Sequence, residues 1–120
     1  MKRILLVEDH QSFSESFEML LEQEPDLHVV GRTSSPSQCH EFVSRGERFD
    51  LAIVDLFLPE GTALDLIREL RECSPQSSLL VLTISLDPED RRRALEAGAD
   101  EVLSKASSLD EILETIKSTG

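Results

Sequence analysis

Five side chains that could do chemistry lie at or just past the ends of apolar runs in this sequence. They are Glu8, Asp9, Asp55, Thr83 and Lys105. Three carboxylates that share one pocket repel one another, so at least one pKa should rise unless a cation intervenes. Mg²⁺ prefers oxygen ligands and commonly takes one or two carboxylates together with a phosphate oxygen. If these side chains converge, they could therefore hold a magnesium ion and a phosphoryl group.

Asp55 is the residue that the other four would surround. A carboxylate can attack phosphorus and form an acyl phosphate. A metal ion and the Lys105 ammonium would neutralise charge on the transferring oxygens, and the Thr83 hydroxyl would donate to one of them. Taken singly, acidic pairs and lone lysines are usually solvated surface, and a threonine after a strand is usually a turn residue. The prediction therefore depends on their joint placement.

That placement follows from the strands that the sequence predicts. Residues 51–55 are four apolar residues and one carboxylate, which is typical of a strand buried on both faces of a parallel sheet. Other strands are predicted at residues 3–7, 27–30, 79–82 and 101–104. The carboxyl ends of parallel strands share one edge of the sheet, where ligands bind in open α/β folds. The strand at 27–30 ends in no reactive group, so we expect it at the edge of the sheet.

Helices are predicted between the strands from their starting residues. Five residues are expected to cap or start the five helices: Ser12, Ser35, Thr62, Asp87 and Ser108. Strands that alternate with helices predict an α/β fold, here one domain with a doubly wound five-stranded parallel sheet and helices on both faces.

Composition narrows the functional classes. The 120 residues include 24 acidic and 12 basic side chains, for a net charge of −12. Such a surface repels phosphate backbones, so we expect no direct nucleic-acid contact by this domain. No apolar run is long enough to cross a bilayer and no export signal is present, so we expect a cytoplasmic protein without membrane contact.

The cysteines and histidines form no recognisable metal pattern. Cys39 and Cys73 are expected to be free thiols. His10, His28 and His40 share no metal-ligand spacing, and we interpret them as surface or loop residues rather than ligands.

Over essentially its whole length the sequence resembles the receiver domains of two-component response regulators. The motifs that carry the resemblance are Val7-Glu8-Asp9-His10, Asp55-Leu56-Phe57-Leu58-Pro59, Leu82-Thr83, Ala97-Gly98-Ala99 and Lys105. The resemblance implies the flavodoxin-like strand order 2-1-3-4-5. Residues 24–31, and Ala106 where proline is common, resemble the branch with a C-terminal helix-turn-helix of the nitrate-response or quorum-sensing type. Residues 1–120 would then be the receiver, and any DNA-binding domain would lie outside this chain.

The resemblance also implies a role for each acidic residue. Asp55 would accept phosphate from the phosphohistidine of a sensor histidine kinase. Asp9 and Asp55 would bind Mg²⁺ directly together with the backbone carbonyl of Phe57, and Glu8 would act mainly through metal-bound water.

Thr83 and Lys105 would contact the phosphoryl oxygens. Phosphorylation would pull Thr83 and the following loop inward, shift the fourth helix and fifth strand, and allow a homodimer to form. Val102 stands where the family usually has Tyr or Phe, so the output coupling should differ. Ile84, larger than the residue usual after Thr83, is expected to narrow access to Asp55 together with Phe57 and to slow hydrolysis.

Three functions are open at this point. The first is a phosphoacceptor switch that controls transcription through an attached DNA-binding domain, and that catalyses only its own phosphorylation and slow dephosphorylation. The second is a Mg²⁺-dependent phosphatase with an aspartyl nucleophile, although Leu56 and Phe57 stand where such enzymes usually need a second carboxylate. The third is a phosphorylation-independent interaction module. The basic run at residues 91–93 is either a solvated helix face or a docking surface.

Overall fold

The computed structural model of the protein describes residues 1–59 and 61–119. These residues contain seven strands: β1 (Lys2–Val7), β2 (Leu27–Thr33), β3 (Leu51–Asp55), β4 (Phe57–Leu58), β5 (Gly61–Thr62), β6 (Ser78–Thr83) and β7 (Glu101–Ser104). They also contain five helices: α1 (Gln11–Glu22), α2 (Pro36–Ser44), α3 (Leu64–Cys73), α4 (Pro88–Ala97) and α5 (Leu109–Ser118). In the described part of the chain, every helix is too short or too polar to span a membrane.

Five of the strands form one parallel sheet in the order β2-β1-β3-β6-β7. Numbered among themselves along the chain, these strands have the order 2-1-3-4-5, so the predicted flavodoxin-like arrangement is confirmed. β2 lies at an edge of the sheet, as expected from its lack of a reactive end. β4 and β5 pair with each other as a separate antiparallel hairpin between β3 and α3.

The sheet is covered on both faces because its strands are apolar on both faces. β3 and β6 are buried at every position, as expected for central strands of a parallel sheet. Phe17 and Leu21 of α1 and Ile112 and Ile116 of α5 pack on one face, in the same cluster as Ile53 of β3. A second cluster on the opposite face receives the buried side chains of α2, α3 and α4.

Three of the predicted helix starts are confirmed by their hydrogen bonds. The side chains of Ser35, Asp87 and Ser108 accept a backbone N–H two or three residues later, at 3.2, 2.9 and 3.1 Å respectively. Each bond satisfies one of the amides that a helix leaves unpaired at its N-terminus. Pro36 and Pro88 occupy the first helical positions, where their missing N–H costs nothing.

The starts predicted at Ser12 and Thr62 are wrong. α1 begins earlier, at Gln11, because the chain enters the helix almost directly after β1, and Ser12 falls inside the first turn. Thr62 instead pairs with Phe57 in the β4–β5 hairpin, and Ala63 takes the position before α3. Neither helix has a side-chain cap.

Gly98 ends α4 with a backbone φ of +126°, a conformation that only glycine adopts readily. The Arg71 guanidinium of α3 donates to the Gly98 carbonyl at 2.7 and 3.1 Å and to the Asp100 carboxylate at 2.7 Å. This junction lies just before β7, and Lys105 follows β7.

Candidate functional site

The Lys105 ammonium joins two buried carboxylates at the carboxyl edge of the sheet. Its Nζ lies 2.5 Å from Glu8 Oε1 and 3.3 Å from Asp55 Oδ2. Glu8 and Asp55 are each only 6% exposed. Glu8 follows β1, Asp55 ends β3 and Lys105 follows β7. The predicted convergence of these three residues, which are far apart in the sequence, is present in the structure.

Backbone hydrogen bonds carry the sheet pairing past the strand ends and hold these residues in place. The amide of Glu8 donates to the Thr33 carbonyl at 2.9 Å, and the amide of Lys105 donates to the Thr83 carbonyl at 2.9 Å. Asp55 is paired directly with Leu82 of the neighbouring strand. The rigid sheet therefore sets the positions from which the side chains reach one another.

Burial and nearby charge together perturb the Glu8 carboxyl. Removal from water and, second to it, the closeness of Asp55 raise the pKa of Glu8 to about 7, while Lys105 opposes the rise. The raised pKa of Glu8 agrees with the repulsion expected between neighbouring carboxylates.

Asp9 and His10 complete a compact group of potential ligands with Glu8 and Asp55. One ligand atom from each of these four residues can be chosen so that all lie within 4.8 Å of one another. The His10 Nδ1 atom lies 3.6 Å from Asp9 Oδ1 and 3.7 Å from Glu8 Oε1. The spacing of the three histidines gave no hint of this position. Adjacency to the acidic pair was the available signal.

The cluster fits a divalent metal ion. Glu8 Oε2 and Asp9 Oδ1 are buried, and neither has a hydrogen-bond partner among the residues that the structure describes. Unpartnered buried carboxylate oxygens are costly, and hard cations such as Mg²⁺ bind oxygen ligands of this type. The donor set and the unpaired atoms thus match what a dication requires.

Thr83 lies at the same edge of the sheet, as the buried last residue of β6. Its hydroxyl oxygen accepts the Ser85 N–H at 3.1 Å, which ties it to the loop before α4. Ile84, the residue after Thr83, is 76% exposed.

Phe57 contacts the predicted phosphoacceptor through its backbone. Its N–H donates to Asp55 Oδ1 at 3.3 Å, and its pairing with Thr62 in the hairpin holds that segment in place. The backbone of Phe57 is thus beside Asp55.

Phe13 is a neighbour of the site in addition to the residues predicted from the sequence. The Lys105 Nζ lies 4.5 Å from the centre of the Phe13 ring, and that ring is 5.6 Å from the Phe17 ring. An ammonium at this distance over an aromatic face is attracted by the ring's quadrupole. Lys105 is thus held by two carboxylates and one ring.

The sequence matches the response regulator receiver domain family over residues 4–117. The chain belongs to this family. It is a receiver domain of the two-component response regulators, the class of phosphoacceptor switches predicted from its motifs, and this is not a family of conventional enzymes. Predictions of the fold and the family are confirmed.

Two curated relatives place this receiver among longer proteins. It is 32% identical over 113 residues to the nitrate/nitrite response regulator protein NarL of Escherichia coli strain K12, covering 94% of this chain and 52% of that protein. It is 31% identical over 120 residues to the DNA-binding transcriptional activator DevR/DosR of Mycobacterium tuberculosis, covering 100% and 55%. The chain thus spans about half the length of these relatives, and the NarL match supports the nitrate-response branch.

A solved structure has a similar fold. It is a response regulator of Burkholderia pseudomallei with a phosphorylated aspartic acid, a calcium ion and citrate. The two share 26% identity with a TM-score of 0.81, over 94% of this chain and 65% of that one.

Proposed function

We propose that Asp55 is the phosphoacceptor of this receiver and takes its phosphoryl group from the phosphohistidine of a sensor histidine kinase. The observation that carries the proposal is the Lys105 ammonium between two buried carboxylates, one of which has an unpartnered oxygen. A structural ion pair would not need the third carboxylate of Asp9 beside it.

The residues divide the transfer step among them. An Asp55 carboxylate oxygen attacks phosphorus, the bond from phosphorus to the histidine nitrogen breaks, and its electron pair remains on that nitrogen. Lys105 is already 3.3 Å from Asp55 Oδ2, so its ammonium is in place to neutralise charge on the transferring oxygens. The Thr83 hydroxyl can donate to one of those oxygens while it still accepts the Ser85 N–H.

Glu8, Asp9 and Asp55, with the backbone carbonyl of Phe57, would hold the metal ion, for which Mg²⁺ is the physiological candidate. A bound dication supplies further charge neutralisation of the phosphoryl oxygens. The calcium ion and phosphorylated aspartic acid of the Burkholderia regulator support this assignment by analogy. Asp9 and Asp55 would be direct ligands, and Glu8 would act mainly through metal-bound water.

The loop after Thr83 offers a path from the site to α4. Ser85 Oγ donates to Asp90 Oδ2 at 2.6 Å and accepts the Asp87 N–H at 3.2 Å. One residue further along α4, the Arg91 guanidinium donates to the Val102 carbonyl of β7 at 2.6 Å. If Thr83 shifts toward a phosphoryl oxygen, these hydrogen bonds would transmit the movement to α4. This route does not require the aromatic residue that the family usually has at the position of Val102.

The output would be control of transcription through a DNA-binding domain outside residues 1–120. DevR/DosR is a DNA-binding activator about twice as long as its matched region, and the net charge of −12 disfavours DNA contact by the receiver itself. Pairing of two receivers on phosphorylation would bring two such domains together. A sensor kinase as phosphodonor implies a cytoplasmic location.

The test is incubation with Mg²⁺ and acetyl phosphate, followed by intact-mass measurement. We expect a stable gain of one phosphoryl group in the wild type, none in Asp55→Asn, and a normal gain in the exposed control Asp65→Asn. Continuous release of inorganic phosphate would favour a phosphatase instead. Absence of any adduct in the wild type would favour a phosphorylation-independent interaction module.

A further inference from the structure

His10 adds a nitrogen donor to the carboxylate cluster. It stands between Asp9 and the first residue of α1, and its side chain is 71% exposed. Its Nδ1 atom approaches Asp9 Oδ1 at 3.6 Å and Glu8 Oε1 at 3.7 Å. It makes no side-chain cap bond to α1, so its position has no local helix-stabilising role of that kind.

The separation of His10 from Asp9 suits two ligands of a single ion. Ligand atoms about 2.1 Å from one ion lie about 3 Å apart when adjacent and about 4.2 Å apart when opposite. The distance of 3.6 Å from His10 Nδ1 to Asp9 Oδ1, a direct ligand in the proposed site, falls within that range. The independent indication that a cation belongs here is the buried Glu8 side chain, whose Oε2 has no partner among the described residues.

We propose that His10 makes this a mixed nitrogen–oxygen site that favours divalent transition ions such as Mn²⁺ and Co²⁺ over Mg²⁺. Mg²⁺ takes oxygen ligands, whereas imidazole suits first-row transition ions, and the advantage of such ligands grows from Mn²⁺ to Co²⁺. The inference deepens the proposed function, because it rests on the same metal site. It adds that His10, the residue after Glu8 and Asp9, determines which metal ion the site prefers.

The first test is calorimetric titration with MgCl₂, MnCl₂ and CoCl₂. The proteins are the wild type, His10→Ala and the control His28→Ala. His28 also lies beside a carboxylate, 3.0 Å from Glu22 Oε1, but away from the cluster. For His10→Ala we expect affinity losses that rise along the series, less than about twofold for Mg²⁺, about fivefold for Mn²⁺ and about twentyfold for Co²⁺. His28→Ala should leave all three affinities unchanged.

A second readout is the ¹⁵N spectrum of the imidazole groups during titration with Zn²⁺. Coordination should shift the Nδ1 resonance of His10 at the first equivalent, before the resonances of His28 and His40. An unshifted His10, or an equal loss of affinity for all three ions in His10→Ala, would overturn the inference. In either case Mg²⁺ binding that is lost in Asp9→Asn would leave the proposed function intact. A wild type that binds none of the ions would contradict both.

Discussion

The Lys105 ammonium is held more tightly than that of a surface lysine, through contacts with three other side chains. Glu8 and Asp55 neutralise its charge, and the Phe13 ring covers it. A lysine side chain loses considerable rotamer entropy when it is fixed. Because Lys105 is already fixed in the unphosphorylated protein, this entropy is not lost during phosphoryl transfer. The side chain is therefore preorganised for the reaction.

Phe13→Leu should therefore slow phosphorylation by acetyl phosphate. A cation–π contact is worth about 0.5–2 kcal/mol, which corresponds to about a 2- to 30-fold lower rate. Phe13→Tyr keeps the ring and should retain the rate. Phe17→Leu replaces a neighbouring ring that does not cover Lys105. It is therefore the control for a general loss of packing. The rate is measured as the growth of the phosphorylated mass, and equal rates in Phe13→Leu and wild type would contradict the prediction.

The Glu8 carboxyl should make metal-free stability depend on pH. Its pKa rises on folding from 4.5 to about 7, so its contribution to stability is complete below about pH 4.5 and is lost as the pH rises to about 7. Glu8→Gln lacks this loss. We expect nearly equal urea stabilities of the two proteins at pH 4, and a variant more stable by about 1–2 kcal/mol at pH 8 in EDTA. A difference that is independent of pH would refute the prediction.

At the scale of the element, predictions succeeded where local contacts decide the structure. The helix starts at Ser35, Asp87 and Ser108 each depend on one side chain and one nearby amide, so the sequence reveals them. The starts near Ser12 and Thr62 depend instead on where β1 ends and on the pairing of β5. Those are tertiary choices, which a local capping pattern does not contain.

The hydrogen bonds of Ser85 should couple phosphorylation to α4. Ser85→Ala removes the bonds to Asp90 and to the Asp87 amide but leaves Asp55 and Lys105 untouched. We expect an unchanged rate of phosphorylation and a smaller change in hydrogen exchange across residues 85–97 on phosphorylation. Asp90→Ala should reduce that change similarly, and the double variant no further, because both residues share one bond. A full response in Ser85→Ala would exclude this path.

At the scale of the molecule, the site could be predicted as far as topology determines it. Parallel strands bring Glu8, Asp55 and Lys105 to one edge whatever the details of packing. The parts that the sequence did not reveal, His10 as a neighbour of the cluster and Phe13 under Lys105, depend on the direction that a side chain takes. Those directions follow from how α1 packs against the sheet, which periodicity does not specify.

Substitution of Gly98 should show how much the junction of α3, α4 and β7 contributes to the stability of the whole domain. In Gly98→Ala the added Cβ would lie 3.2 Å from Arg71 Cβ, on a residue already at a φ of +126°. Gly46→Ala is the matched control, since Gly46 also has a positive φ, +78°, but nothing lies within 4 Å of the added atom. We expect a loss of about 1 kcal/mol in Gly46→Ala and about 2–3 kcal/mol in Gly98→Ala, measured by urea unfolding. The excess in Gly98→Ala reports the greater backbone strain at +126° together with the crowding against Arg71, whose guanidinium also binds the Ser77 and Gly98 carbonyls. Equal losses would mean that Arg71 moves aside without cost to stability, and that the sheet alone positions β7.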